Sequence, residues 1–383
     1  MEVDRNILRQ SLMLPCGASL SNRLGGAALT EHLAGEDGLP NALHFMLYKT
    51  WAQSGAAFKF TGNVMVDRRS LEGKGNVILE EGQPVLPFEQ WAQTASNGLT
   101  QLWMQLGHAG GLSPCPESLS PSGVQHSGIR VFPKPRVMTY KDISDVIRRF
   151  RYAARLTKDV GFTGVEIHSA HGFLLNQFLS PATNKRTDEW GGSLKNRMRL
   201  LLEVVRQVRD AVGPAFPVAV KLSATDGIGI DPAESWTEEE SVETARALAV
   251  EGIDLLETSG GNYDRPIMLG SAPPPQGDRP EAFFADYARK VRQAAPTLPI
   301  MLTAGMRSVS SMATNLRTAA ADVIGLGRPL AALPNIPLRI LSGQLSTVPP
   351  LPGEQLAVFD QLQWFQACMR RIAMDHGASD VGH

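Results

Sequence analysis

The sequence predicts a (β/α)8 TIM barrel, and three observations predict it. Short apolar runs alternate with helix-patterned segments along the chain; the strand-like runs number eight; and no GxGxxG turn follows the first of them. Alternating strand and helix calls for a parallel sheet. Eight such units in about 330 residues suit a closed barrel better than a doubly wound sheet, which would more often show six strands and that early glycine turn.

In order, strands are expected at Leu24 to Leu29, Ala57 to Thr61, Leu99 to Leu106, Gly164 to His168, Val218 to Ser223, Leu255 to Thr258, Ile300 to Thr303 and Val323 to Leu326. Three of the intervening helices carry readable ends. In TYKDISDVIRRFRYAARLTKDVG, Thr139 is the N-cap with Asp142 three residues on, Ile143, Val146, Ile147 and Phe150 form the stripe, and Gly161 stops it. SLKNRMRLLLEVVRQVRDAVG spaces Leu194, Met198, Leu201, Val205, Val208 and Val212 by fours and threes and ends at Gly213-Pro214. TEEESVETARALAVEG places Thr237 and Glu240 at capping-box spacing and ends at Gly252. Such helices cover the outside of a sheet.

The single barrel domain is expected over 1–345, with residues 1–20 closing its bottom and 346–383 as a C-terminal helical tail. The Pro/Gly-rich segment 264–280 follows the sixth strand and reads as a long loop or lid at the catalytic face.

Composition narrows the function class. The 383 residues are 43% hydrophobic without a run of ~18 apolar residues, so no membrane span is expected. The start of the chain carries acidic residues and lacks a long signal-like apolar segment, which points to the cytosol. Lys and Arg total 37 against 38 Asp and Glu, with no basic block, so a nucleic-acid partner is not expected. Cys16, Cys115 and Cys368 form no CxxC and read as reduced bystanders. A small-molecule partner is the default, and a homo-oligomer is compatible with the sequence.

VEIHSAHGFLLNQF, from Val165, puts two histidines three residues apart at the end of the fourth strand. Side chains alternate in a strand, so Glu166 and His168 share one face and Val165 and Ile167 the other. Catalytic groups of such barrels come from the C-terminal ends of the strands. His168 and His171 therefore fall where chemistry is expected, although a capping histidine beside a core histidine competes evenly with that reading. An HxxH metal site with His108 as third ligand is a weaker reading, because no matching carboxylate or imidazole is evident.

The stretch GFTGVEIHSAHGFLLNQFLSPATNKRTDEWGGSLKNRMRLLLEVVRQVRDAVG resembles the signature region of the old yellow enzyme family of FMN-dependent ene-reductases. The likeness runs from SNRLGGAALTE at residue 21 to DVIGLGRPL ending at residue 330; TGNVMVD and ETSGGNY resemble the NADH:flavin oxidoreductase or NADH oxidase branch. It implies a (β/α)8 barrel holding noncovalent FMN at its mouth, with NAD(P)H as co-substrate. Position by position, it implies that Ala28, Leu29 and Thr30 contact the flavin, Thr30 at the pyrimidine edge. Gly62 and Asn63 lie beside the ring, Asn63 where other members have a small residue. Gln105 serves the uracil-like edge, and Lys221 stands near N1. Gly305, Met306, Gly327 and Arg328 bind the phosphate. The family pattern HxGR is reduced here to His108, Ala109, Gly110 and Gly111.

The same resemblance makes His168 and His171 donors to a substrate carbonyl, with hydride passing from flavin N5 to the β-carbon of an electron-poor alkene. The tyrosine that usually protonates the α-carbon is replaced by Phe173, which has no donor. Tyr263, after the sixth strand, is the substitute to test, against an ordinary surface tyrosine. Two other readings stay open: a redox-neutral flavin-dependent isomerase of a biosynthetic intermediate, and a flavin-free barrel enzyme on a phosphorylated metabolite.

Overall fold

The structure is a computed structural model that describes residues 2–96, 98–125, 132–226, 234–262 and 281–379. Eight parallel strands close on themselves: β1 (Leu24–Gly26), β2 (Phe58–Met65), β3 (Gln101–Gly107), β4 (Gly164–Ser169), β5 (Val218–Ser223), β6 (Leu255–Ser259), β7 (Ile300–Leu302) and β8 (Val323–Leu326). Each pairs with the next, and β8 returns to β1 through Ile324 opposite Leu24. The (β/α)8 barrel is therefore present, with α1 (Ala42–Trp51), α2 (Leu86–Gln93), α3 (Tyr140–Asp159), α4 (Arg199–Val212), α5 (Glu238–Val250), α6 (Ala285–Ala294), α7 (Val309–Arg317) and α8 (Ile336–Leu341) after successive strands.

The outward residues Val165 and Ile167 of β4 share one buried cluster with Val146 and Phe150 of α3, as their alternation with Glu166 and His168 requires. Inside, a second cluster fills the barrel's N-terminal half with Phe58, Phe60, Trp103, Leu255, Met301 and Val323. Phe58 and Trp103 stack with centroids 4.6 Å apart. A Cβ on Gly164, opposite Trp103 in the register, would meet the indole at 2.4 Å, so only glycine fits there. Below them the antiparallel pair Leu12–Met13 and Ser19–Leu20 brings Leu14 and Leu20 into the same cluster and closes the bottom.

Caps explain the helix starts. Thr139 accepts from the Asp142 amide while the Asp142 carboxylate accepts from the Thr139 amide, and Thr237 accepts from the Glu240 amide. Gly161 and Gly213 take φ of 101° and 79° at the C-terminal ends, conformations open to glycine.

Three boundaries differ from the sequence expectation by three residues or more. The helix expected from Leu194 is broken at Met198 into Leu194–Arg197 and α4. Asn196 and Arg197 bond back to the carbonyls of Gly191 and Gly192, at 3.0 and 3.1 Å, which ties that first turn to the preceding loop. Strand β1 ends at Gly26, and the chain from Ala28 leaves the ladder to line the barrel mouth. Strand β2 continues past Thr61 to Met65 through a register shift between Phe60 and Asn63. That irregularity aims the Gly62 amide at Glu31 Oε1 and Tyr48 Oη, 2.9 and 3.0 Å away.

The segment 264–280, expected as a lid, lies outside the described residues. Among the described residues, no helix is long and apolar enough to cross a membrane.

Candidate active site

A cavity of about 920 Å³ opens at the C-terminal ends of the strands, within the range of small-molecule sites. It brings together every residue singled out above as catalytic, substrate-binding or cofactor-binding, except Gly62, which does not line it, and Tyr263, which lies outside the described residues.

Two imidazoles stand on one wall. His168 ends β4, is 3% exposed, and its Nδ1 accepts the Ala170 amide proton at 3.2 Å. An Nδ1 that accepts leaves the ring proton on Nε2. Burial, and then the charge of Lys221, lowers the His168 pKa to about 3, so the donor is a neutral imidazole. His171, at φ 61°, is fixed by its amide to Ser223 Oγ at 3.0 Å and by its Nε2 to Ser259 Oγ at 2.6 Å. Burial, Lys221 and His168 push its pKa well below the ordinary value. The rings meet edge to face with centroids 5.1 Å apart. Phe173 sits 4.6 Å from the His168 ring, 1% exposed and clustered with Ala109 and Leu112.

Below the histidines lies a polar layer set by strand register. Lys221 pairs across the ladder with His168 and Glu257, and Gln105 with Glu166. Lys221 Nζ is 3.3 Å from Glu257 Oε1. The ammonium is thus compensated, as a buried lysine must be. Gln105 Nε2 donates to Glu166 Oε2 at 2.6 Å, which turns the amide oxygen toward the cavity.

Four residues past the end of β1, Thr30 is held beside the Glu72 carboxylate. Its hydroxyl donates to Glu72 Oε2 at 2.9 Å, and Asn63 Nδ2 donates to both Thr30 Oγ1 and Glu72 Oε2 at 2.8 Å. His32 Nε2 is 3.7 Å from the same oxygen. The asparagine that departs from the family pattern therefore has a partner, and it is the residue the resemblance places at the pyrimidine edge.

At the opposite end, Gly305 has φ 76°, and Met306, Gly327 and Arg328 follow the ends of β7 and β8. Of the two arginines here, Arg307 is bound to Glu354, and Arg328 Nη1 donates to Gln361 Oε1 at 3.1 Å. Gln361 belongs to α9 (Val358–Ser379), which packs on α1 and adds Phe365, Gln366 and Met369 to the cavity wall.

His108 has a structural place. It is 1% exposed, its Nδ1 accepts the Gly110 amide at 3.0 Å, and its Nε2 is 3.5 Å from Asp67 Oδ2. Among the described residues, no group of three or more His, Cys, Asp or Glu is placed to hold a metal.

The donor set suits FMN. A flavin offers an imide N–H and two carbonyls at one edge and gathers negative charge near N1 on reduction; Gln105, an amide, and Lys221, a cation, have the chemistry that such a group would require. The buried Thr303 hydroxyl, which has no partner among the described residues, also lines this cavity. Residues 16–346 match the family model described as the NADH:flavin oxidoreductase / NADH oxidase family. The chain belongs to that family. The NADH-dependent flavin oxidoreductase iccE of Talaromyces variabilis is 35% identical over 363 residues, 87% of this chain and 86% of that protein. The NADH-dependent flavin oxidoreductase nadA of Aspergillus parasiticus is 35% identical over 91% of this chain and 78% of that one. Morphinone reductase has the same fold, with a TM-score of 0.75 at 22% identity, covering 91% of this chain and 92% of that one. This member of the NADH:flavin oxidoreductase family is thus an old yellow enzyme barrel and an enzyme. It uses noncovalent FMN with NAD(P)H as the reductant.

Sequence reasoning missed Ser259, Glu257, Glu72, His32 and the wall supplied by α9. A signal existed for the two from β6: LLETS alternates Leu255, Glu257 and Ser259 onto one face, as VEIH does Glu166 and His168. Glu72 and α9 reach the site through loop and tail geometry with no periodic signature.

Proposed function

We propose that this oxidoreductase reduces the activated C=C bond of α,β-unsaturated carbonyl compounds, and that its site residues act as follows. Bound FMN supplies the hydride chemistry. His168 donates from Nε2 to the substrate carbonyl oxygen, and His171, steered by Ser259 and Ser223, supports the second lone pair. Fixed neutral donors stabilise the enolate charge as it develops, without reorganising. Gln105 and Thr30 hold the pyrimidine edge, with Ala28, Leu29 and Asn63 beside the ring; Lys221 faces N1. The amides of Gly305, Met306 and Gly327, with the Arg328 guanidinium, take the phosphate. The observation that carries this reading is the convergence of two neutral imidazoles with Gln105 and Lys221 on one cavity.

Phe173 supports a second reading. Its ring, buried against His168, Ala109 and Leu112, gives the enolate no proton. A redox-neutral isomerisation, in which hydride is added and retrieved, would need none from that position. Tyr263 remains the substitute donor to test. The family's FMN leaves the flavin-free reading without support.

Phe173→Tyr tests both. With an enone, the variant is expected to reoxidise reduced flavin about 10²-fold faster than wild type, with reduction by NADH little changed. Product analysis of both proteins with and without NADH separates the readings. Reduced product only with NADH supports the reductase, and an unchanged rate in the variant shows that the proton already comes from elsewhere.

A further inference from the structure

Beneath the cavity the barrel holds two carboxyl groups that the mechanism above does not use. Glu166 of β4 and Glu257 of β6 are both 0% exposed and flank β5, where Lys221 lies opposite His168 on one side and Glu257 on the other. Three of their four oxygens, Glu166 Oε1 and both oxygens of Glu257, have no hydrogen-bond partner among the described residues beyond the Lys221 ion pair at Glu257 Oε1. Two donors serve the layer: Gln105 Nε2, bound to Glu166 Oε2 at 2.6 Å, and Lys221 Nζ, 3.3 Å from Glu257 Oε1. Among the described residues, the ammonium within ion-pair distance of these two carboxyl groups is that of Lys221.

Buried oxygens without donors are costly, and two carboxylates in one water-excluded site cannot both ionise at neutral pH. A single proton on one carboxyl group answers both problems, because it makes that group a donor to the other. Gln105 indicates the edge. It keeps Glu166 Oε2 as an acceptor, so the proton belongs at Oε1, which has no partner among the described residues. Burial, and then the charge of Glu257 beside it, raise the Glu166 pKa well above the ordinary carboxyl value. The other charged group acting on the pair is Lys59 of β2, whose ammonium donates to the carbonyls of Ala27 and Phe60, answers to Glu31, and is lowered by burial to about 8. His168 and His171 above the layer are neutral.

We propose that Glu166 and Glu257 share one proton while the bound flavin is oxidised and take up a second one when it is reduced. This rests on the reading that Lys221 faces the ring. Hydride transfer from NADH adds one negative charge to the flavin and consumes no proton. Lys221 then divides its attraction between the ring and Glu257. A carboxyl pair left with less positive charge binds a proton from water, and releases it when the hydride passes on to substrate.

The test is anaerobic reduction by NADH in weak buffer with a pH-indicator dye, at about pH 6.5 so that Lys59 stays charged. Wild type is expected to take up about one proton per flavin bleached, and Glu166→Gln and Glu257→Gln none. Scoring per flavin removes any difference in rate. Infrared spectra of the resting oxidised protein give an independent readout: a protonated-carboxyl C=O band that shifts in D2O and disappears in Glu166→Gln. No uptake by wild type, uptake that survives both substitutions, or no such band would overturn the proposal. A purified protein without flavin bands would instead fail the functional reading, whereas the carboxyl band tests the pair without it.

Discussion

His168→Ala is expected to slow reoxidation of the reduced enzyme by an enone by about 10²-fold to 10³-fold, the cost of removing one fixed donor to a developing oxyanion. Reduction by NADH should be affected far less, since the carbonyl is absent from that half-reaction. A phenol titration followed by its charge-transfer absorbance gives a second measurement, because a phenolate in the site needs the same Nε2–H. Wild type should bind phenol with a pH dependence that follows the phenol's own ionisation. The His168 pKa is lowered to about 3 by burial and Lys221, so the imidazole does not change charge near neutrality. An alanine variant that keeps the wild-type phenol spectrum would remove His168 from the site.

Lys221→Met is expected to destabilise the fold by about 3–5 kcal/mol at pH 8, because it leaves the buried carboxyl of Glu257 without its counter-charge. The double variant Lys221→Met/Glu257→Gln should recover most of the loss, because it removes the carboxyl group along with its partner. Urea unfolding at saturating FMN measures the effect. A single variant as stable as wild type at pH 8 would show that Lys221 and Glu257 are not an energetically coupled pair.

Much of the architecture was legible because strand and helix periods differ. The alternation of Glu166 and His168 against Val165 and Ile167 gave both the inward and the outward face of β4, and Thr139 and Thr237 marked helix starts that the structure repeats. Boundaries were less legible where tertiary bonds override local pattern. Asn196 and Arg197 break a periodic helix by bonding to the preceding loop, and β2 runs through an irregularity whose freed Gly62 amide bonds to Glu31 and Tyr48, 31 and 14 residues away in the chain. At the site, inward positions at strand ends could be read from the chain. Which groups meet them could not: Ser259 with His171, Glu72 with Thr30 and Gln361 with Arg328 are contacts between residues 33 to 88 apart in the chain. Asn63 looked anomalous in sequence only because its partner Glu72 was invisible there.

The central claim is that one cavity holds FMN and passes hydride from NADH to an activated alkene under His168 and His171. An absorption spectrum of the purified protein tests it most directly. The account predicts flavin bands, bleached by NADH without air and restored by an enone such as 2-cyclohexenone. Flavin bands that NADH bleaches but no enone restores would contradict the proposed substrate class, and a colourless protein that binds no added FMN would contradict the site itself.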